Sequence, residues 1–259
     1  MNPRIEKLRQ ASFEAEPSVS IERAVLLTEF YRENYGKYSL PVLRALAFRY
    51  LCAKKTIYIG ADELIVGERG PTPKAVPTFP ELTCHSVEDL RILNERPMTR
   101  YRVAAEDIKV YEESVIPFWR GRSMRDRVFS HVPQEWKAAY TAGLFTEFME
   151  QRAPGHTTLD GLIYRQGMRD FQRAIAVRLA GLDYLHDPEA ADQAEELKAM
   201  DIACDAAILF AERHGELADQ LAAQEADPQR RAELQRLADV CRRVPAQAPQ
   251  DFWEALQMY

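Results

Sequence analysis

Apolar positions along this chain recur mostly at helical spacing. In SIERAVLLTEFYREN, Ile21, Val25, Leu26 and Phe30 fall on one stripe, with Ser18 and Ser20 ahead of it as cap candidates and Gly36 behind it as a stop. PVLRALAFRYLCAKK follows, opening at Pro41 and closing on Lys54 and Lys55, cations that suit a helix C-terminus. Ser86 with Asp89 has the spacing of a capping box. Further helices are expected at 104–116, 134–150 and 161–181. Asp187-Pro188 and Asp227-Pro228 each read as a cap followed by a helix-opening proline. The helix after Pro188 extends to about residue 225 on this reading, with Gly215 as a candidate break.

The period changes in one place. TIYIGADELIVGE alternates at Ile57 and Ile59, then at Leu64 and Val66, around Gly-Ala-Asp, which predicts one minor β-hairpin near 56–67. Gly70, Pro71, Pro73, Pro77 and Pro80 then make 70–80 extended and irregular. The expected fold class is mainly α. The last segment, APQDFWEALQMY, opens like a helix at Pro249 and gathers Phe252, Trp253, Leu256, Met258 and Tyr259 at the chain end. Two readings follow: a chain truncated at Tyr259, which the bare apolar end favours, or a docked terminal helix.

Charge narrows the partners. The 259 residues carry 34 Lys+Arg against 40 Asp+Glu, a formal charge of -6, so a nucleic-acid partner is not expected. No apolar run approaches the roughly 20 residues of a membrane span, and the N-terminus leads into no apolar signal region. The expectation is a cytoplasmic protein with no membrane partner. Cys52, Cys84, Cys204 and Cys241 are scattered without CxxC spacing and read as reduced thiols, each a small buried hydrophobe.

Candidate chemistry is sparse. Cys84-His85, with Glu88 and Asp89 beyond, has metal-ligating types but no second ligand pair, so no metal is expected. His214-Gly-Glu216 has half of a zinc-deaminase signature without the PCxxC half, and reads as a solvated helix face. GxSxG, GxGxxG, Walker A and HExxH are absent. The stretch GLFTEFMEQRAPGHTTLDG, 143–161, is the most suggestive. Phe145 and Phe148 precede a tight Ala-Pro-Gly turn that presents His156, with Asp160 after it. Apolar walls with one imidazole would suit a small-molecule pocket. The alternative is that His156 caps a carbonyl and the phenylalanines fill core.

Taken in order, SIERAVLLTEFY, PVLRALAFRYL, DELIVGE, PTFPELTCHSVEDL, IPFWRGRSMRDR, FTEFMEQRAPGHT and DFWEALQMY resemble the N-terminal region of the glycyl radical enzymes, the pyruvate formate-lyase-like superfamily. Within it the chain is most similar to the trans-4-hydroxy-L-proline dehydratases. The resemblance implies that 1–259 is the N-terminal helical part of an α/β barrel domain, truncated at its C-terminus. It implies a lyase that loses water from hydroxyproline to give a pyrroline-5-carboxylate. Phe148 would pack on the substrate ring, and His156 matches a histidine that contacts substrate hydroxyls. The tract TLDGLIYRQG departs from the dehydratase pattern, which keeps a diol, sulfonate or 2-oxoacid substrate open. A stand-alone, inactive helical interaction protein is the reading from another class.

The family's Gly-Cys-Val-Glu and Arg-Val-x-Gly-Tyr loops are not in these residues. The resemblance therefore implies no catalytic residue here and no turnover by this fragment alone. It also implies a glycyl radical in the full-length enzyme, installed by a radical SAM activating enzyme, and a possible homodimer.

Overall fold

Short local signals open most of the helices, as the computed structural model, which describes residues 2–145 and 159–259, makes plain. Asn2 caps α1 (Pro3–Glu14), its side chain accepting from the Arg4 N–H at 2.9 Å. Ser86 and Asp89 complete the capping box of α4 (Val87–Glu95). Asp227 caps α11 (Pro228–Arg243), with Pro228 in its first turn. Between these lie α2 (Glu22–Asn34), α3 (Leu40–Lys54) and α5 (Ala105–Val110), which runs through a π-helical turn, Tyr111–Val115, into α6 (Ile116–Trp119). Next come α7 (Met124–His131), α8 (Gln134–Thr141), α9 (Met168–Ala180), α10 (Ala190–Gln224) and α12 (Phe252–Met258). The expectation of a mainly α fold is met.

Helix α10 is the spine, 35 residues and ~50 Å long at 1.5 Å per residue. Its buried face is largely alanine, which lets neighbours approach closely. Ala199 packs with Val42 and Ala45 of α3, while Ala218 packs with Leu237, Ala238 and Cys241 of α11. Gly215 does not break the helix. A Cβ there would stand 3.2 Å from the Ala238 carbonyl oxygen, so this glycine marks the close approach of α11. A second core joins Leu27 and Phe30 of α2, Leu43 and Leu51 of α3, Leu90, Tyr111 and Trp119. Among the described residues no helix is long and apolar enough to cross a membrane.

Three local expectations are corrected. Ser18 and Ser20 do not cap α2; they lie in β1 (Ser18–Ser20), paired in parallel with β2 (Ala75–Pro77). Val19, Ser20 and Ile21 are buried there, and core contact fixes the extended backbone in place of a cap. The helix expected over 134–150 ends at Thr141, before Gly143 at φ +74°. The helix expected over 161–181 is a 3-10 turn, Asp160–Tyr164, followed by α9.

The hairpin expected near 56–67 is absent: that segment forms no strand. Side chains from the C-terminal helices take the place of a strand partner. Arg230 donates to the Gly60 and Glu63 carbonyls at 3.0 and 2.9 Å. Trp253 Nε1 donates to the Leu64 carbonyl at 2.7 Å. Gln257 accepts from the Val66 N–H and donates to its carbonyl, both at 2.9 Å. Backbone groups satisfied in this way need no ladder. The same bonds dock α12, whose Glu254 is buried against Arg243. Phe252 and Tyr259 of the terminal cluster stay exposed, while Trp253 is half-buried.

Candidate functional site

The stretch singled out by the sequence is approached through α7 and α8. Ser123 caps α7, accepting from the Asp126 N–H at 3.0 Å, and Asp126 in turn accepts from the Gly121 N–H at 2.8 Å. The first α7 amides, Met124 and Arg125, donate to the Glu81 and Leu82 carbonyls at 2.8 and 3.0 Å. Glu81 is itself clamped by a two-pronged ion pair with Arg23 of α2, whose Nη1 lies 3.0 Å from Oε2. The guanidinium of Arg23 also covers the Phe79 ring at 4.1 Å. The position of α7 is thereby tied to the main core rather than to its own exposed turns.

On this base stands an aromatic wall. Phe129 meets Trp136 and Tyr140 edge-on, with centroids 5.2 and 5.1 Å away. Trp136 and Tyr140, one helical turn apart, lie parallel at 5.8 Å. Phe145 tilts onto Trp136 at 4.8 Å. The Arg125 guanidinium sits 4.4 Å over Phe129 and reaches the Tyr140 hydroxyl at 3.5 Å. Offset and edge-on rings of this kind each contribute about 0.5–1.5 kcal/mol beyond area burial. The wall ends at Phe145. The chain is described again from Leu159 and Asp160, both at positive φ, and the following turn buries Ile163.

Phe148 and His156, the two expected substrate-binding residues, lie outside the described residues. Their flanks do not. Phe145 belongs to the wall, and Asp160 opens the exposed 3-10 turn. The sequence reading missed Trp136, Tyr140 and Phe129, although two rings at i and i+4 beside a third aromatic were a usable signal.

The other candidates resolve into local structure. Cys84 is half-buried, and its thiol is pushed up to about 12 by burial, with Asp126 and Asp89 adding to the effect. Burial lowers the pKa of His85, opposed by Asp89. Asp89 is already engaged: its Oδ2 accepts from the Ser86 N–H and hydroxyl at 2.8 Å each. Among the described residues no three His, Cys, Asp or Glu side chains gather as a metal would require. Cys52, Cys204 and Cys241 are buried, as expected of small hydrophobes. The solvated-face reading of His214 is corrected, because His214 is buried, with Nδ1 2.8 Å from the Phe210 carbonyl and its ring edge-on to Phe210 at 4.6 Å. Glu216 is exposed, since residues two apart on a helix point to different sides.

Comparison with known proteins gives a consistent picture. A pyruvate formate lyase-like family model matches residues 1–259. The chain is 45% identical over 256 residues to the trans-4-hydroxy-L-proline dehydratase of Clostridioides difficile, covering 99% of this chain and 32% of that protein. The crystal structure of hydroxyproline dehydratase from the same organism, with trans-4-hydroxy-L-proline bound, superposes with a TM-score of 0.93 at 44% identity, covering 99% of this chain and 33% of that one. A glycyl radical enzyme from Archaeoglobus fulgidus superposes with a TM-score of 0.88 at 30% identity, covering 98% of this chain and 33% of that one. The chain thus spans about a third of the length of these relatives.

Proposed function

The chain belongs to the pyruvate formate lyase-like family, its helical fold being that of the N-terminal part of glycyl radical enzymes, and from that premise we propose that it serves a dehydratase acting on trans-4-hydroxy-L-proline. The product is a pyrroline-5-carboxylate. What carries the reading is the likeness to the C. difficile hydroxyproline dehydratase, which runs through nearly the whole chain in sequence and in fold.

In this reading residues 1–259 are one part of a domain whose radical-bearing loops lie outside them. The glycyl radical of the family supplies hydrogen-atom abstraction. The glycine and cysteine motifs that carry it are not in this sequence, and none of its four cysteines stands in that context. No chemical step is assigned to this chain. Its contribution is binding and enclosure: Phe148 packs on the substrate ring and His156 meets the hydroxyl, in the stretch that follows the Trp136–Phe145 wall in the sequence. A radical SAM activating enzyme and a second copy of the enzyme are the partners this reading calls for, and a cytoplasmic location goes with them.

The test is an anaerobic assay of the full enzyme with its activating enzyme. Pyrroline-5-carboxylate formed from trans-4-hydroxy-L-proline supports the proposal, and turnover of a diol or a sulfonate in its place overturns the substrate. Phe148→Ala is expected to raise KM about tenfold, the cost of one lost ring contact of about 1.4 kcal/mol. Purified residues 1–259 are expected to give no product, and turnover by them would overturn that part of the reading.

A further inference from the structure

Two hydroxyls inside the main core stand apart from the polar groups around them. Tyr111 opens the π-helical turn and is 0% exposed, and Thr78, which follows β2 directly, is 5% exposed. Their neighbours are paired. Arg23 donates to the Thr78 carbonyl at 3.2 Å and forms its ion pair with Glu81, and the Trp119 indole is served by Thr28. Among the described residues, only the Thr78 Oγ1 and the Tyr111 hydroxyl are buried side-chain oxygens or nitrogens with no hydrogen-bond partner. Such orphans are rare in a folded core, because each has given up water without replacement.

The two orphans are neighbours. Burial raises the pKa of the Tyr111 phenol, and the Thr78 hydroxyl opposes that rise, yet the pair does not meet as a direct hydrogen bond. Both oxygens are sealed by the core that surrounds them, so neither bulk solvent nor any further segment of chain reaches them as packed. A partner has to be enclosed with them. Tyr111 packs in one cluster with Leu90, Val115 and Trp119, which limits the guest to the size of a solvent molecule. Its charge is limited too. The hydroxyls are neutral, and the Arg23 and Glu81 charges beside them cancel each other, so an ion would find no counter-charge. Each hydroxyl can donate one bond and accept others, which suits a molecule that does the same.

We propose that Thr78 and Tyr111 hold one internal water molecule, which bonds both hydroxyls and joins the segment after β2 to the π-helical turn. Immobilising one water costs less than leaving two buried hydroxyls unpaired. The bridge gives the π-turn, a rare bulge in an otherwise α-helical run, a fixed point on the neighbouring segment. That segment continues into the Glu81 and Leu82 carbonyls that receive the first amides of α7, so the water belongs to the support on which α7 stands. The inference is independent of the substrate assigned above.

The test is a crystal structure of the full enzyme, resolved well enough to show ordered solvent. One solvent peak is expected within about 2.5–3.0 Å of both hydroxyl oxygens, and it should be lost in Tyr111→Phe. A direct Thr78–Tyr111 hydrogen bond, or two hydroxyls with no solvent between them, would overturn the proposal. Thermal unfolding gives a second reading. Tyr111→Phe and Thr78→Val each remove one anchor of the water and strand the other hydroxyl, so each should lower the midpoint. The double variant strands neither, and it should fall no further than the worse single. An unchanged or raised midpoint in Tyr111→Phe would mean that its hydroxyl had no partner to lose. Additive losses would mean that the two hydroxyls share none. Either result would overturn the bridge.

Discussion

Gln257 and Val66 exchange two hydrogen bonds, the glutamine side chain accepting from the valine N–H and donating to its carbonyl, both at 2.9 Å. A side-chain amide here does the work of a neighbouring strand. Val66 is buried, so water cannot take over. Gln257→Leu should destabilise the protein by about 1–3 kcal/mol, the cost of leaving buried backbone groups unpaired. Denaturant unfolding measures it, and a midpoint unchanged from the parent would refute the role given to α12.

Trp119 poses a parallel case in the other core. Its Nε1–H donates to Thr28 Oγ1 at 2.9 Å, and the Thr28 hydroxyl donates onward to the Ala24 carbonyl at 2.7 Å. Thr28→Val keeps the shape and strands a buried indole N–H. A loss of about 1–3 kcal/mol is expected. Thr28→Ser, which keeps the hydroxyl, should recover most of it. The contrast between the two variants separates the hydrogen bond from packing.

Gly167 sits where α9 meets the segment after α11. A Cβ on it would fall 2.3 Å from the Gln247 Cα and 2.5 Å from the Ala246 carbonyl oxygen, and Met168 and Arg169 donate to the Pro245 and Ala246 carbonyls beside it. Backbone cannot swing aside as a flexible side chain can. Gly167→Ala should therefore cost about 1–3 kcal/mol, in the range of other overpacked sites. Its thermal midpoint should fall clearly below that of Gly161→Ala, where the glycine has open space.

Burial lowers the pKa of His214 below the usual 6.5, with Lys55 and Arg213 adding to the effect and the Phe210 carbonyl opposing it. The unfolded chain then binds a proton that the folded imidazole resists. The resulting stability is complete above about pH 6.5 and is lost as pH falls toward the folded pKa. His85 shifts the same way and acts in the same window. Stability should thus begin to fall as pH drops below about 6.5, above the range of ordinary carboxylates. His214→Gln should flatten part of that slope, and an unchanged slope in both His214→Gln and His85→Gln would refute the account.

How much of this was legible in the sequence follows from the range of each signal. Caps act over three or four residues. The Ser86–Asp89 box and the Asp227-Pro228 start were therefore readable, whereas of the expected α2 stripe Ile21 and Phe30 are buried but Val25 and Leu26 only partly so, the helix burying Leu27 instead. The family, too, was carried by ordered local segments. Tertiary contacts decided the remainder. Ser18–Ser20 became strand because Ala75–Pro77 lies beside it, more than fifty residues away in the chain. The alternating 57–66 segment lost its hairpin because Arg230, Trp253 and Gln257 reach its carbonyls from 189 or more residues away in the Trp253 and Gln257 cases and 167 or more for Arg230. Gly215, a breaker by composition, became a contact point because α11 needed the space of its missing side chain. Local propensity costs about 1 kcal/mol at such a position, and packing of a neighbouring helix outweighs it. The sequence by itself determined that the fold is mainly helical, where the clearest caps stand and what family the segments compose. Only the tertiary structure decided which backbone groups find partners, because those partners are chosen by distance in space.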